Sequence, residues 1–141
     1  TGGTNRGWVS HGKNPFSFQR VNWTGKVPFE VHEMRVKPDG FELTFTKAAD
    51  SKSLSDLSSY AMESYTYVYQ KGYGSPVVDK SVPVIKKAVP AKDGKSVRLT
   101  VEGMVKGNVH ELKMPGIRLK GKDHPLLHDV AYYTLNEIPI K

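Results

Sequence analysis

The fold class follows from one stretch of sequence, Asp39-Gly40-Phe41-Glu42-Leu43-Thr44-Phe45-Thr46. In this stretch a turn dipeptide precedes apolar residues at every second position, which is typical of a strand with one buried and one exposed face. The pattern recurs in Asp93-Gly94-Lys95-Ser96-Val97-Arg98-Leu99-Thr100-Val101, where the glycine permits a turn with positive φ. The two units predict an antiparallel β-domain. Their six apolar side chains, at positions 41, 43, 45, 97, 99 and 101, are expected to be buried and in contact as opposing inner faces.

Strand-like segments recur along the rest of the chain and are separated by turn signals. We count seven or eight short candidates, with turn residues every 8 to 14 positions and one short helical turn within residues 50–60. This spacing predicts an all-β, Ig-like or fibronectin III-like antiparallel β-sandwich rather than an α/β fold. The candidate strands are residues 16–23, 28–37, 41–46, 60–70, 82–89, 96–102, 108–114 and 130–135. Within residues 28–37 the alternation changes phase between Val31 and Met34, as a β-bulge would produce.

The composition excludes several classes of function. The chain of 141 residues has the length of one domain and contains no cysteine, so disulfides, thiolate metal sites and Cys-x-x-Cys-His haem attachment are excluded within it. No apolar stretch approaches the roughly 20 residues that span a bilayer. The net charge of +7 comes mostly from isolated lysines and arginines. Because dispersed positive charge does not form a nucleic-acid footprint, we expect no nucleic-acid partner.

A boundary is predicted where Gly-rich sequence gives way to regular alternation. We expect an N-terminal segment at 1–27 and the sandwich at 28–141. Trp8 and Trp23 are interpreted as packing residues, or as remnants of a junction with a preceding domain. The chain begins with neither Met nor a targeting segment, and we therefore expect it to be a piece of a longer protein.

Residues along nearly the whole chain carry a resemblance to a known family. Residues 2–8, Gly-Gly-Thr-Asn-Arg-Gly-Trp, together with 18–26 and 28–31, resemble the end of the β-propeller in large secreted glucose and sorbosone dehydrogenase-like proteins of planctomycetes and related bacteria. Three later stretches resemble the β-sandwich that follows the propeller in those proteins, namely residues 38–47, 60–67 and 128–136.

The resemblance implies a role without catalysis for this chain. In that family a quinoprotein-like propeller is often followed by a β-sandwich and a c-type cytochrome region, and neither the propeller's catalytic groups nor a haem motif is present here. The expected function is that of an accessory or interaction domain of a periplasmic or secreted redox protein. Its partners would be neighbouring domains of the same chain, and we expect no cofactor and no enzymatic activity of its own.

Tyrosines form the best candidate for a functional surface. Tyr65, Tyr67 and Tyr69 would share one face of a continuous strand, and Tyr73 lies close by in the sequence. Aromatic planes in a row offer stacking area to sugar rings, so the alternative function is a carbohydrate-binding module that takes a polysaccharide. The competing interpretation is that the row packs onto the other sheet or the N-terminal segment.

The histidines give only weak metal candidates. His124 and His128 are four residues apart, but Pro125 argues against a helix, and in a strand they would lie about 13 Å apart. We therefore predict no metal site and interpret His128 as a hydrogen-bonded residue at the start of a strand. His32 and His110 each precede a glutamate within a strand, and both are interpreted as surface histidines.

Overall fold

The computed structural model describes residues 2–4 and 16–140, with side chains from Phe18 onward. Within these residues the chain forms ten strands, a short α-helix and a 3-10 turn. The elements are β1 (Gly2–Thr4), β2 (Phe16–Phe18), β3 (Val31–Lys37), β4 (Gly40–Phe45), α1 (Ser51–Ser55), the 3-10 turn (Leu57–Ser59), β5 (Ala61–Tyr67), β6 (Val77–Ser81), β7 (Val84–Pro90), β8 (Ser96–Glu102), β9 (Val109–Lys113) and β10 (Val130–Thr134).

Eight of these strands form the predicted all-β sandwich. One antiparallel sheet has the order β3-β4-β8-β7, and the other has the order β10-β9-β5-β6. Along the chain, four successive hairpins alternate between the two sheets. This is the strand partition of an Ig-like sandwich with four strands in each sheet. The expectation for the fold class is confirmed.

The six apolar side chains of the two repeated units are all buried, with exposures between 0% and 6%. Their predicted placement on opposing faces is wrong, however. Strands β4 and β8 are neighbours in the same sheet, where Phe41 lies opposite Leu99 and Leu43 lies opposite Val97. The alternation shows which side of each strand is apolar, but it does not show which strands pair.

The second sheet closes the core over Phe41. The Phe41 ring contacts two rings of that sheet, with centroid distances of 5.6 Å to His110 and 5.5 Å to Tyr133. Leu112 and Met62 are buried in the same core. Phe41 therefore contacts the two innermost-facing rings of the second sheet, on β9 and on β10.

The β4–β5 connection is held by caps and by a buried hydroxyl. The Asp50 carboxylate accepts a hydrogen bond from the Ser53 amide at 3.0 Å, which begins α1. The Tyr60 hydroxyl donates to the Leu54 carbonyl at 2.7 Å, and burial raises the pKa of this phenol. The region contains α1 and a 3-10 turn, where the sequence predicted a single helical turn.

Other element bounds differ from the predicted ones for local reasons. β6 was missed because its five residues lack apolar alternation, and β5 ends at Tyr67 rather than at residue 70. β2 ends at Phe18 rather than at residue 23. The register shift between Val31 and Glu33 accounts for the phase change in the alternation of β3. Gly94 adopts the expected positive φ, at 71°.

The N-terminal segment is exposed wherever its side chains are described, from residue 18 to residue 27. β1 pairs with β2 in a separate two-stranded sheet, and the first buried apolar residue among the described side chains is Phe29. Residues 5–15, which include Trp8, lie outside the described residues. The boundary at residue 27 stays a prediction.

The core assignment predicts a large loss of stability for Phe45→Ala. Phe45 is 5% exposed and its ring centroid lies 6.2 Å from that of Phe29. Truncation should lower the free energy of unfolding by about 3 to 5 kcal/mol, because it removes buried surface and leaves a cavity. Urea denaturation measures this change, and Val89→Ala, at a residue 45% exposed, is the control with little expected effect. An unchanged midpoint for the Phe45 variant would contradict the assignment.

The separate N-terminal sheet predicts that residues 1–27 can be removed without loss of fold. A chain that starts at Pro28 should unfold within about 0.5 kcal/mol of the full chain, as expected for changes away from packed features. Thermal and urea denaturation of the two chains measure the difference. A drop of several kcal/mol would place the boundary before residue 27.

Candidate functional site

Tyr65 and Tyr67 lie on the outer face of the β10-β9-β5-β6 sheet. The preceding residue Ser64 pairs with His110 and both are fully buried, so Tyr65 points to the outer face. Tyr67, two residues further along, contacts the Tyr65 ring on the same face. The two rings are nearly perpendicular, with centroids 5.6 Å apart. Tyr65 is 9% exposed and Tyr67 is 48% exposed. Only Tyr67 therefore offers ring surface to a ligand.

A polar network covers Tyr65. Its hydroxyl donates to the Glu111 carboxylate at 3.0 Å, and Glu111 forms an ion pair of 3.3 Å with Lys113. The Lys113 amine also lies 3.2 Å from the Glu63 carboxylate. Burial, followed by the hydrogen bond to Glu111, raises the pKa of Tyr65. These contacts make Tyr65 a structural residue of the sheet surface.

Tyr69 and Tyr73 lie beyond the strand, in the loop between β5 and β6. The loop is closed by a hydrogen bond of 3.0 Å from the Val68 amide to the Pro76 carbonyl. The Gln70 side-chain amide also donates to the Gly74 carbonyl at 2.9 Å. Both tyrosine side chains are fully exposed.

Tyr65, Tyr67 and Tyr69 therefore do not form the single strand face that the sequence predicted. β5 ends at Tyr67, so the alternation that would align Tyr69 with Tyr65 is interrupted. The alternative of packing against the N-terminal segment is also wrong for the described side chains, since Phe18 and Trp23 are themselves exposed. We call residues 67–77 the tyrosine hairpin.

The chemistry of the tyrosine hairpin is that of a binding surface. Tyr67, the last residue of β5, pairs with Val77, the first residue of β6, and Val77 is 40% exposed. Together with the two loop tyrosines they present aromatic planes and phenol hydroxyls to solvent. Such side chains stack and hydrogen-bond at low entropic cost.

The two metal candidates are not brought into one site. The His128 ring nitrogen Nδ1 lies 2.7 Å from Glu30 Oε1, and the His128 amide donates to Glu30 Oε2 at 3.1 Å. His124 instead lines a surface cleft. Among residues 2–4 and 16–140, no three His, Asp or Glu side chains are grouped so that they could hold a metal ion.

His110 is the histidine that the sequence interpretation placed wrongly. It is fully buried, and its Nε2 accepts a hydrogen bond of 3.3 Å from the Val105 amide. Its Nδ1 and the neighbouring Ser64 hydroxyl have no hydrogen-bond partner among the described residues. Burial lowers the pKa of His110, and the Asn108 carbonyl acts in the opposite direction. The alternation of His110 with Leu112 is the signal that could have placed it inside.

A second exposed feature is the apolar segment that precedes the core. Phe18, Val21 and Trp23 are 93%, 81% and 73% exposed, and Val27 is 44% exposed. The expectation that Trp23 packs within this domain is wrong. We call residues 18–27 the apolar segment.

The comparisons with known proteins add no family. No protein-family model, no curated protein and no solved structure matches the chain. Among the described residues, neither helical element has the length and apolarity that crossing a membrane requires.

The buried imidazole predicts lower stability in mild acid. The folded-state pKa of His110 is lowered, so the unfolded chain binds the proton first as the pH falls below about 6.5. The contribution of neutral His110 to the free energy of unfolding is complete above that pH. As the pH falls further, this contribution decreases by up to about 1.4 kcal/mol per pH unit until the folded-state pKa is reached. Urea denaturation between about pH 7 and about pH 5 should show a flatter dependence for His110→Gln. The exposed His32→Gln should keep the parent dependence, and equal slopes in parent and His110→Gln would contradict the assignment.

Proposed function

We propose that this chain is a non-catalytic interaction domain of a larger secreted or periplasmic protein, of the sugar dehydrogenase-like class that its sequence resembles. The observation that carries the proposal is the apolar segment, in which Phe18, Val21 and Trp23 are exposed by 73% or more. A short segment that exposes three large apolar side chains offers surface for an interaction. The partner that we propose for them is a neighbouring domain of the same polypeptide.

The size of the exposed rings supports docking with useful affinity. Covering Phe18 and Trp23 would remove roughly 300 Å² or more of surface from water. At roughly 25 cal/mol per Å², this is several kcal/mol before the costs of association. Aromatic side chains of this kind are the usual anchors of interfaces.

The reading frame that encodes the chain gives the first test of the proposal. It should continue upstream of residue 1 into a further domain, expected from the resemblance to be a β-propeller. A frame that starts at this chain, with no other domain, would contradict the proposal.

The double variant Phe18→Ser/Trp23→Ser tests the docking role directly. Stability of the isolated chain should change by less than about 0.5 kcal/mol, since both side chains are exposed. Association with the preceding domain, supplied as a separate protein, should weaken about tenfold or more in calorimetry. Tyr132→Ser, at a residue 62% exposed on β10, is the matched control. Equal affinity of the double variant and the parent would refute the docking surface.

A second candidate function is carbohydrate binding through the tyrosine hairpin. The observation that favours it is the full exposure of Tyr69 and Tyr73 beside the half-exposed Tyr67. Rings held on a closed hairpin can stack on successive sugar rings of a polysaccharide. Tyr65 takes no part in this proposal because Glu111 and Tyr67 cover it.

Retention on insoluble polysaccharides tests this second candidate. If the parent chain is retained on cellulose, chitin or xylan, Tyr69→Ala/Tyr73→Ala should bind about tenfold more weakly, through the loss of ring stacking. Its unfolding midpoint should not move, because neither side chain is buried, and Tyr132→Ala should bind like the parent. If none of these polysaccharides retains the parent chain, the carbohydrate proposal is contradicted.

A further inference from the structure

A cleft of about 320 Å³ lies beside the loop that joins β9 to β10. Its apolar floor is formed by Phe29, Leu119 and Leu127. Pro28, two lysines and a histidine complete the lining, with Lys47 after the end of β4 and Lys122 and His124 from the loop. The cleft shares no residue with the tyrosine hairpin or the apolar segment.

The positive charge in the cleft is not neutralised by the protein. Neither Lys47 nor Lys122 forms an ion pair with a described residue. The carboxylates next to the lining residues Lys122 and Phe29 are engaged elsewhere: Asp123 with Arg118 at 2.9 Å, and Glu30 with His128 at 2.7 Å. An anion in the cleft would therefore meet two ammonium groups without displacing an internal partner.

The backbone that carries these side chains is fixed by main-chain hydrogen bonds. The Leu119 amide donates to the His124 carbonyl at 2.8 Å, and the Lys122 amide donates to the Leu119 carbonyl at 3.1 Å. The Lys120 amide donates to the Ala48 carbonyl at 3.0 Å, which ties the loop to the residues after β4. The main chain that carries the floor and the lysines is thus in place before any ligand arrives, which reduces the cost of ordering the site.

The geometry points to a binding site for a ring-sized carboxylate in this cleft. The volume is at the lower end of the about 300 to 1,000 Å³ typical of small-molecule sites, so it accommodates one ring rather than a chain. The apolar floor covers the face of the ring, and Lys47 and Lys122 receive the carboxylate. Both an aromatic acid and a sugar acid have this chemistry, and the probes below distinguish them.

Titration of the full isotope-labelled chain, followed by amide resonances in NMR spectra, tests the site. The probes are benzoate, glucuronate, glucose and inorganic sulfate at equal ionic strength. Benzoate or glucuronate should shift the amides of Lys47, Leu119 and Leu127, and the one that binds more tightly identifies the class of acid. Glucose and sulfate should bind at least about tenfold more weakly, because each lacks either the charge or the ring.

A pair of double variants separates a site from general attraction by a basic protein. Lys47→Gln/Lys122→Gln should weaken the carboxylate about tenfold, as expected for two partly exposed ion pairs. Lys80→Gln/Lys87→Gln removes the same charge from exposed, unpaired lysines on β6 and β7 and should leave the affinity unchanged. Unshifted resonances with both carboxylates, equal shifts with sulfate, or equal weakening by the two double variants would each overturn the proposal. All four lysines are exposed, so both variants should fold, and unchanged spectra outside the cleft verify this.

Discussion

The structure depends on the contact between Phe41 and the second sheet. The ring projects from β4 and meets His110 of β9 and Tyr133 of β10, so a single side chain links both sheets of the sandwich. Phe41 shares this role with the other buried side chains on the inner faces of the two sheets, which together keep both apolar faces from water. The contact also explains why a histidine is tolerated in the core: its ring packs as an aromatic surface while one nitrogen accepts the Val105 amide.

A backbone constraint holds Phe41 in place. At Gly40, which precedes it, a Cβ atom would lie 2.0 Å from the Leu99 carbonyl oxygen. Only glycine permits β4 and β8 to approach so closely at the start of the pairing. The Arg98 guanidinium then donates to the Phe41 carbonyl at 3.1 Å and pairs with Asp39. The turn, the strand pairing and the core side chain therefore reinforce one another.

The surface features with functional interest are built mainly from segments that precede or connect the strands. The apolar segment precedes β3, the tyrosine hairpin joins β5 to β6, and the cleft lined by Lys47 and Lys122 borders the β9–β10 loop. The strands position these segments at different places on the domain, and binding residues are commonly found on loops that a rigid scaffold positions. The proposals for them are independent, because no residue belongs to more than one feature.

The sequence by itself determined the fold class and the inward positions of β4 and β8. Period-2 alternation and turn glycines are local signals, so Phe41, Leu43, Leu99 and their neighbours could be assigned to the core without knowledge of pairing. The same local signals predicted the bulge in β3 and the positive φ of Gly94.

Only the tertiary structure decided which strands are neighbours and which surface side chains are covered. Strand pairing brings together residues far apart in sequence, such as Tyr65 and Glu111, whose side chains hydrogen-bond, and no local pattern specifies that contact. The exposure of Tyr69 depends on where β5 ends, and the cleft depends on a loop folding back over Ala48. His110 could have been placed from its alternation with Leu112, but a lone polar residue in an apolar pattern does not show whether the interior can accommodate it. These outcomes are set by packing and by long-range hydrogen bonds, and therefore they emerged only from the folded chain.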